Sequence, residues 1–402
     1  MAQLDKTFPT LDCSSCILTP KMVEVGSHPN IELMTYSEVT EIRGKVGDFQ
    51  ISISKKPRYV DARKCTACAL CAEACVQGER IPNEFDMGIG NRSAAYIPFP
   101  QAVPQKYVID PNHCLMLTRG KCGKEPKCQK ACSPNAIDFM QQEETITARA
   151  AVIVAATGYD QFDPKLKPEY GYGRYENVLS GIEFERLCSA SGPTKGKITV
   201  NGREPKRVVF IQCVGSRDKT VENEYCSRVC CMYTAKQAHL VRERIPDAKI
   251  TVCYMDIRAF GKGFREFVNR AKKDWGIEYF RAKPSEVRED PKTQDLILKY
   301  EDTLTGEMRS LQVNMVVLST ALVPPLENRE LARKLGVRVD KYGFFQVRHP
   351  LLAPLDASAP GIFLCGCCHS PQDIPDSVAE GKGAAARAVE FLAGMRVQEG
   401  TK

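Results

Sequence analysis

No run of apolar residues in this chain approaches the ~20 needed to span a bilayer, which argues against a membrane anchor. The first residues, Met1-Ala-Gln-Leu-Asp-Lys-Thr7, have neither the basic start nor the apolar core of a secretory signal. The expected compartment is therefore the cytoplasm, where thiols stay reduced. Lysine and arginine are spread along the sequence, and no aromatic-basic stripe or nucleic-acid motif is found. A formal net charge of +7 on this length then makes no case for nucleic acid. An acidic protein partner fits as well.

What the sequence does have is cysteine, 19 of them in 402 residues. A chain of this length holds two or three domains, each able to bury its own core, and 43% hydrophobic with 26% charged residues is an ordinary globular balance. Stability does not require metals or bridges, and a reduced compartment disfavours a disulfide framework. Metal ligation or redox chemistry is the better account of the cysteines.

Two stretches repeat one pattern. Around Ile31 the sequence reads IELMTYSEVTEIRGKVGDFQISISKK, an alternating strand, a Ser-Glu-Val turn and a hairpin broken at Gly44 and Gly47. Around Ile277 it reads IEYFRAKPSEVREDPKTQDLILKYEDTLTGEMRSLQV, with the same start and the same Ser-Glu-Val. Each copy closes on a β-branched run, Ala151 to Gly158 and Asn314 to Thr320, suited to a parallel strand covered on both faces. The first copy is longer by about 80 residues, a Cys-rich insertion from about 57 to 140. The second opens on Lys206-Arg-Val-Val-Phe-Ile-Gln-Cys, the helix-like YTAKQAHLVRERI and AKITVCYM, a βαβ beginning that the first lacks.

The strongest chemical pattern is Cys65-x2-Cys68-x2-Cys71-x3-Cys75. Packing so tight suits an iron–sulfur cubane, whereas structural zinc draws on two separated pairs. A second set, Cys114-x7-Cys122-x5-Cys128-x3-Cys132 with Pro134 behind it, resembles the second half of a bacterial two-cluster ferredoxin with its loop expanded. In that pattern each fourth cysteine serves the other cluster. The resemblance implies Cys65, Cys68, Cys71 and Cys132 on one [4Fe-4S] cluster and Cys114, Cys122, Cys128 and Cys75 on the other. Lys121, Lys124, Lys127 and Lys130 interleave with these cysteines, either to offset the charge of thiolate-bound iron or as a solvated basic loop. The Asn112-His113 step reads as a turn residue and a packed imidazole.

A third set, Cys213-x12-Cys226-x3-Cys230-Cys231, falls where the second copy should bind a dinucleotide phosphate. G-x-G-x-x-G is replaced there by Gln212-Cys-Val-Gly-Ser-Arg-Asp218, which disfavours a nicotinamide. Four thiols at a helix start suit another cluster; a packed group of small hydrophobes is the bland alternative. Cys13-x2-Cys16 is open between a redox pair, half of a cluster site and two turn thiols. Cys365-x-Cys367-Cys368 follows the strand Gly361-Ile-Phe-Leu364, in a turn that approaches the flavin in many flavoproteins. Cys188 and Cys253 read as core.

Taken together, MAQLDKTFPTLDCSSCILTPKMVEVGSHPNIE, CTACALCAEAC, QCVGSRD with YCSRVCCMYTAKQA, and GCCHSPQDIPDSVAEGKGAAARA resemble the flavin-bearing A-type member of heterodisulfide reductase, over nearly the whole chain. The resemblance implies an α/β fold, a thioredoxin-reductase-like scaffold of two dinucleotide domains with an inserted α+β ferredoxin-like domain. Residues 1–56 are then a partial FAD domain with its hairpin, lacking the first βα unit and its G-x-G-x-x-G. Residues 57–140 are the two-cluster insert, 141–204 the FAD-domain return, 205–322 the second nucleotide-type domain, and 323–402 the last FAD-domain segment, without the further ferredoxin domain of longer members. Cys213, Cys226, Cys230 and Cys231 match a family cluster site.

Lys236 matches a family lysine near the flavin N5, where a cation stabilises reduced, anionic flavin; without the resemblance it reads as a surface lysine. Ala155, Gly158 and the stretch from Gly366 to Ile374 match places that approach the isoalloxazine and ribityl chain. The implied function is an oxidoreductase component passing electrons between FAD, shared with or completed by a partner, and [4Fe-4S] clusters, with flavin-based bifurcation as an extension. The implied partners are heterodisulfide-reductase B and C subunits, a hydrogenase or a formate dehydrogenase. A flavin-free relay or scaffold using only its clusters is the alternative, and a zinc-stapled interaction protein a third.

Overall fold

A computed structural model describes residues 1–400 of the chain; residues 401 and 402, the end of the expected 323–402 segment, lie outside the described residues. The chain forms two compact bodies. The first comprises residues 1–38, 53–146 and 182–199, and the second comprises 39–52, 147–181 and everything described from 200 onward. This differs from the division read in the sequence, because 1–38 and 182–199 cluster with the Cys-rich insert and not with a flavin-type sheet.

The reason is local. Arg186 in the helix Gly181–Cys188 is fully buried and donates from Nε to Asp86 at 2.8 Å, with Ser191 and the Gln3 carbonyl also in reach. Asp5 N–H donates to Glu185 at 3.1 Å. A buried guanidinium demands such partners, and here all of them belong to the first body.

That body is built from small pieces. The helices Leu70–Glu73, Leu115–Arg119 and Lys127–Ala131 alternate with two hairpins, Ile81–Pro82 with Asn91–Arg92 and Ala95–Tyr96 with Val108–Ile109. An antiparallel bridge joins Val60 to Ile137. The core is thin, with Val60, Ile81, Tyr107, Ile109 and Ile137 packed directly against cysteines. The first cysteine of each motif is set by the same device: Cys65 N–H donates to the Asp61 carbonyl at 2.9 Å and Cys114 N–H to that of Asp110 at 3.0 Å. Each Asp carboxylate in turn accepts from the N–H two residues on, Arg63 or Asn112. His113 departs from expectation, for it is half exposed and pairs with Asp110 at 2.9 Å instead of packing into the core.

The second body centres on a five-stranded parallel sheet ordered Val178–Ser180, Met315–Thr320, Arg207–Val214, Lys249–Tyr254, Glu278–Arg281. The helix Cys230–Arg244 connects Arg207–Val214 to Lys249–Tyr254, the βαβ unit expected from sequence. Every residue of Met315–Thr320 is buried, as a doubly covered strand requires. The run at Ala151 behaves otherwise. Its strand is only Ile153–Ala155, with Val154 44% exposed, because it stands at the edge of a second sheet ordered Val347–His349, Ala353–Ala357, Ile362–Leu364, Ile153–Ala155.

Ser-Glu-Val is not a turn in either copy. It opens the strand Ser37–Lys45 in the first and lies inside Pro284–Glu289 in the second, whereas residues 31–36 form no strand. The β-branched valine favours extended pairing over a bend. The hairpin break is where it was expected: Gly44 and Gly47 take φ of +89° and +90° beside the turn into Asp48–Lys55.

Candidate functional site

In the first body the eight insert cysteines surround two small, mainly apolar cavities. Cys65, Cys68, Cys71 and Cys132 line one, with Val60, Tyr107 and Ile137. Cys75, Cys114, Cys122 and Cys128 line the other, with Met116 and Phe139. The Cys65 loop winds tightly enough to put Ala67 and Ala69 at φ of +59° and +70°, a conformation costing an alanine about 1 kcal/mol or more. It also aims backbone donors at sulfur: Ala67 N–H donates to Cys65 Sγ at 3.4 Å and Ala136 N–H to Cys132 Sγ at 3.3 Å. Burial, and then the neighbouring Cys65, pushes the Cys71 thiol up to about 12. Burial and then Cys114 pushes Cys128 up to about 11. Apolar walls thus hold these sulfurs protonated until a cation replaces the proton.

Among the described residues no three His, Cys, Asp or Glu side chains converge closely enough to hold a single metal ion. Four thiols spaced around an apolar cavity suit a multi-iron cubane better, because its sulfur ligands stand apart at its corners. The donor set and the N–H···S bonds both fit a [4Fe-4S] group.

The third set lies in the second body. The chain leaves Arg207–Val214 for a helix on one side, while the neighbour on the other side, Met315–Thr320, arrives last, so this pair marks the switch point of the sheet. Cys213 stands at its carboxyl end with φ of +60°. Cys230 and Cys231 open the helix Cys230–Arg244. The Cys230 thiol bonds to those of both Cys213 and Cys231, which raises it well above the usual thiol range. The same bond, followed by the Arg258 N–H at 3.4 Å, brings Cys231 down to about 7 against its burial. Cys226 accepts from Arg228 N–H at 3.4 Å and shares the Arg217 cation with Cys213. Three thiols are gathered, and the fourth stands beside the same arginine.

The flavin-type positions also belong to this body. Ala155 pairs with Leu364 in parallel register, and Cys365 N–H donates to the Ala155 carbonyl at 3.2 Å. Gly366, at φ of +69°, gives its N–H to Glu380 at 2.8 Å, and Ile374 opens the helix Ile374–Gly400. Gly158, at φ of +75°, faces open space where a side chain would stand. Thr157 Oγ1 donates to Asn328 Oδ1 at 2.8 Å, while Asn328 Nδ2 is buried with no partner. An orphaned donor beside an open glycine at two strand ends fits the polar edge of a planar ring. Asn328 was missed in the sequence, where nothing marks it. Lys236 is 1% exposed, not the surface lysine that its helix context suggests.

The remaining cysteines separate cleanly. Cys367 and Cys368 are buried thiols donating to the carbonyls of Gln372 at 3.4 Å and Ala155 at 3.3 Å. Cys188 and Cys253 are core. Cys13 and Cys16 form a disulfide.

A parallel sheet with thiols at its switch point, and a small body with two four-cysteine cavities, define an α/β protein carrying a ferredoxin-like module. No family model matches the chain. It is 49% identical over 387 residues to the A-type iron-sulfur subunit of the CoB–CoM heterodisulfide reductase of Methanocaldococcus jannaschii, covering 96% of this chain and 57% of that one. It is 49% identical over 390 residues to the A-type subunit of the H(2):CoB-CoM heterodisulfide,ferredoxin reductase of Methanothermobacter thermautotrophicus, covering 96% and 58%. It is 50% identical over 399 residues to a second such iron-sulfur subunit, from Methanopyrus kandleri, covering 99% and 59%. The chain belongs to the family of A-type heterodisulfide reductase subunits. It spans under three fifths of the length of these relatives. A thioredoxin reductase of T. acidophilum superposes loosely, with a TM-score of 0.40 and 19% identity over 63% of this chain and 69% of that one.

Proposed function

We propose that this chain is an electron-transferring part of an iron–sulfur flavoprotein subunit in a heterodisulfide-reductase-like complex. The observation that carries the reading is the exchange of fourth cysteines, Cys132 lining the cavity of the first motif and Cys75 that of the second. Only a module built for two adjacent polynuclear centres needs ligands to cross in this way. When bound, the clusters supply one-electron storage and the flavin converts single electrons to pairs.

The chain's own residues do the rest. Cys65, Cys68, Cys71 and Cys132 hold one cluster; Cys75, Cys114, Cys122 and Cys128 hold the second; Cys213, Cys226, Cys230 and Cys231 hold a third. Ala67 and Ala136 N–H groups donate to sulfur in the first site, and Arg217, itself paired with Asp256 at 2.6 Å, stands beside the third. Apolar side chains supply most of the lining of the two insert cavities. Ala155, Gly158, Gly366 and Ile374 shape the flavin position, Asn328 Nδ2 supplies a donor there, and Lys236 supplies the cation that favours reduced flavin.

The complex is cytoplasmic, with B- and C-type subunits and a hydrogenase or formate dehydrogenase as electron-pair partners, and bifurcation belongs to it as a whole. No helix of the described residues is long and apolar enough to cross a membrane. Anaerobic purification with iron, acid-labile sulfide and flavin quantified per chain tests the reading. Iron and sulfide in equal amounts together with flavin support it. Clusters without flavin leave the relay alternative in its place, and zinc without sulfide rejects both.

A further inference from the structure

A continuous series of hydrogen bonds runs from the third cysteine set to the flavin-side turn, entirely within the second body. Arg228 lies in the loop between Cys226 and Cys230 and takes φ of +61°, a region that residues other than glycine seldom adopt. Its N–H donates to Cys226 Sγ at 3.4 Å. Its side chain reaches the turn before the helix Ile374–Gly400. There Nη1 donates to Gln372 Oε1, with the Pro371 carbonyl at 3.5 Å, and Nη2 donates to Asp376 at 2.9 Å. The Phe260 ring covers the guanidinium at 5.0 Å. Gln372 is buried and gives its amide N–H to Glu380 Oε1 at 2.8 Å. The other oxygen of Glu380 accepts the Gly366 N–H at 2.8 Å, and His369 Nε2 lies 2.9 Å from it. One residue thus bonds a cluster-site sulfur with its backbone and grips the flavin-side turn with its side chain. The planar guanidinium serves Gln372 and Asp376 together, which the single point charge of a lysine does not.

We propose that Arg228, Gln372 and Glu380 are positioning residues that couple the third cluster site to the flavin site, a role that rests on the cluster and flavin assignments above. An N–H directed at a ligating sulfur stabilises the more negative, reduced cluster and so raises its potential. Arg228 keeps its N–H on Cys226 only while its backbone holds the left-handed turn. The side chain that braces this turn is fixed by Gln372 and, through Glu380, by Gly366. An occupied flavin position steadies Gly366 and Ile374 at the far end, and therefore favours the reduced third cluster. Linkage makes the effect reciprocal: reduction of the third cluster tightens the hold on flavin by the same factor. None of the three residues lines either insert cavity.

The test uses the holo complex, purified anaerobically, with the third cluster identified as the paramagnetic signal lost in Cys230→Ser. Each end is altered and the effect is read at the other. Gln372→Met, on the flavin side, should shift the reduction equilibrium of the third cluster about threefold toward the oxidised form, a midpoint ~28 mV lower for one electron, and leave the insert clusters unmoved. Arg228→Lys keeps the charge and the backbone N–H but not the fork. It should speed flavin release on dilution about threefold, read by the rise in flavin fluorescence, with iron per chain unchanged. The double variant should lower the third-cluster potential no further than Gln372→Met alone, because both changes cut one path. An unmoved third-cluster potential in Gln372→Met overturns the proposal, as do additive shifts in the double variant. So does loss of iron from the third site in Gln372→Met, which would make the network a structural prop. Gln372→Met decides alone if Arg228→Lys loses its cluster. A wild-type complex without flavin, or without the third-cluster signal, overturns the underlying assignments and the coupling with them.

Discussion

Cys71 and Cys75 stand one helical turn apart, yet Cys71 lines the cavity that holds Cys132 while Cys75 lines the one that holds Cys114. The short helix Leu70–Glu73 lines the first cavity through Cys71, and its C-cap Ala74 with Cys75, Val76 and Gln77 beyond it lines the second.

Loss of iron should follow cavities and not motifs. Cys65→Ser with Cys132→Ser should lose no more iron per chain than either change alone, since both strip one site. Cys65→Ser with Cys75→Ser should lose about twice as much, since each strips a different one. The reverse order, with about twice the loss in Cys65→Ser with Cys132→Ser and no added loss in Cys65→Ser with Cys75→Ser, would show the fourth cysteines to be uncrossed.

Gly215 stands at φ of +74°, and a Cβ added there would come within 2.3 Å of the Phe162 ring. Gly215→Ala should cost about 2 to 4 kcal/mol from left-handed strain and overpacking together. Because the loop begins two residues earlier at Cys213, this substitution should also reduce iron at the third site while the insert keeps its own. Denaturant unfolding and site-resolved spectra check both halves.

Asp218 carries a pH dependence. It is 5% exposed and faces the Lys167 ammonium at 3.1 Å, that of Lys283 at 3.7 Å, and the Thr220 N–H and hydroxyl at 3.0 and 2.6 Å. Burial pulls the carboxyl up, but the Thr220 hydroxyl and the Lys167 ammonium more than reverse it and hold the group well below the carboxylate range. A depressed folded pKa means stability that is fully present above the unfolded value near ~3.9 and lost as pH falls toward the folded one. Asp218→Asn should cost about 2 kcal/mol at neutral pH. That difference from wild type should shrink below pH ~4, as measured by denaturant midpoints across pH.

Arg186→Met removes the cation from a buried pair and leaves Asp86 with only the Asn83 amide, at 2.7 Å. A cost of about 3 kcal/mol is expected, falling on the first body. Limited proteolysis should release residues 1–38 earlier than in wild type, with the five-stranded sheet protected equally in both.

Lys236→Gln should leave iron content unchanged and lower the flavin midpoint potential by ~30 mV, equivalent to about 1.4 kcal/mol for a two-electron couple. An unaltered potential would return Lys236 to a packing role.

Cysteine spacing, the βαβ run from Arg207 to Tyr254 and the buried strand Met315–Thr320 were legible along the chain, because each is a local pattern of residue type and period. The hairpin was legible too, since Gly44 and Gly47 announce positive φ. The edge position of Ile153–Ala155 was not, for an apolar run reads alike whether one neighbour covers it or two. Nor was the burial of Lys236, which depends on what its helix packs against.

By itself the sequence determined which chemistry is available: thiols in tight clusters, a phosphate loop replaced by cysteines, and membership in a family through motifs spread over the whole chain. The ferredoxin resemblance also implied which insert thiols belong together; only the tertiary structure decided that Asn328 lends an unpaired donor beside Gly158, and that residues 1–38 and 182–199 join the insert. The division is physical. Spacing and periodicity are properties of neighbours along the chain, whereas shared cavities, orphaned donors and buried ion pairs such as Arg186 with Asp86 arise between residues that only folding brings together.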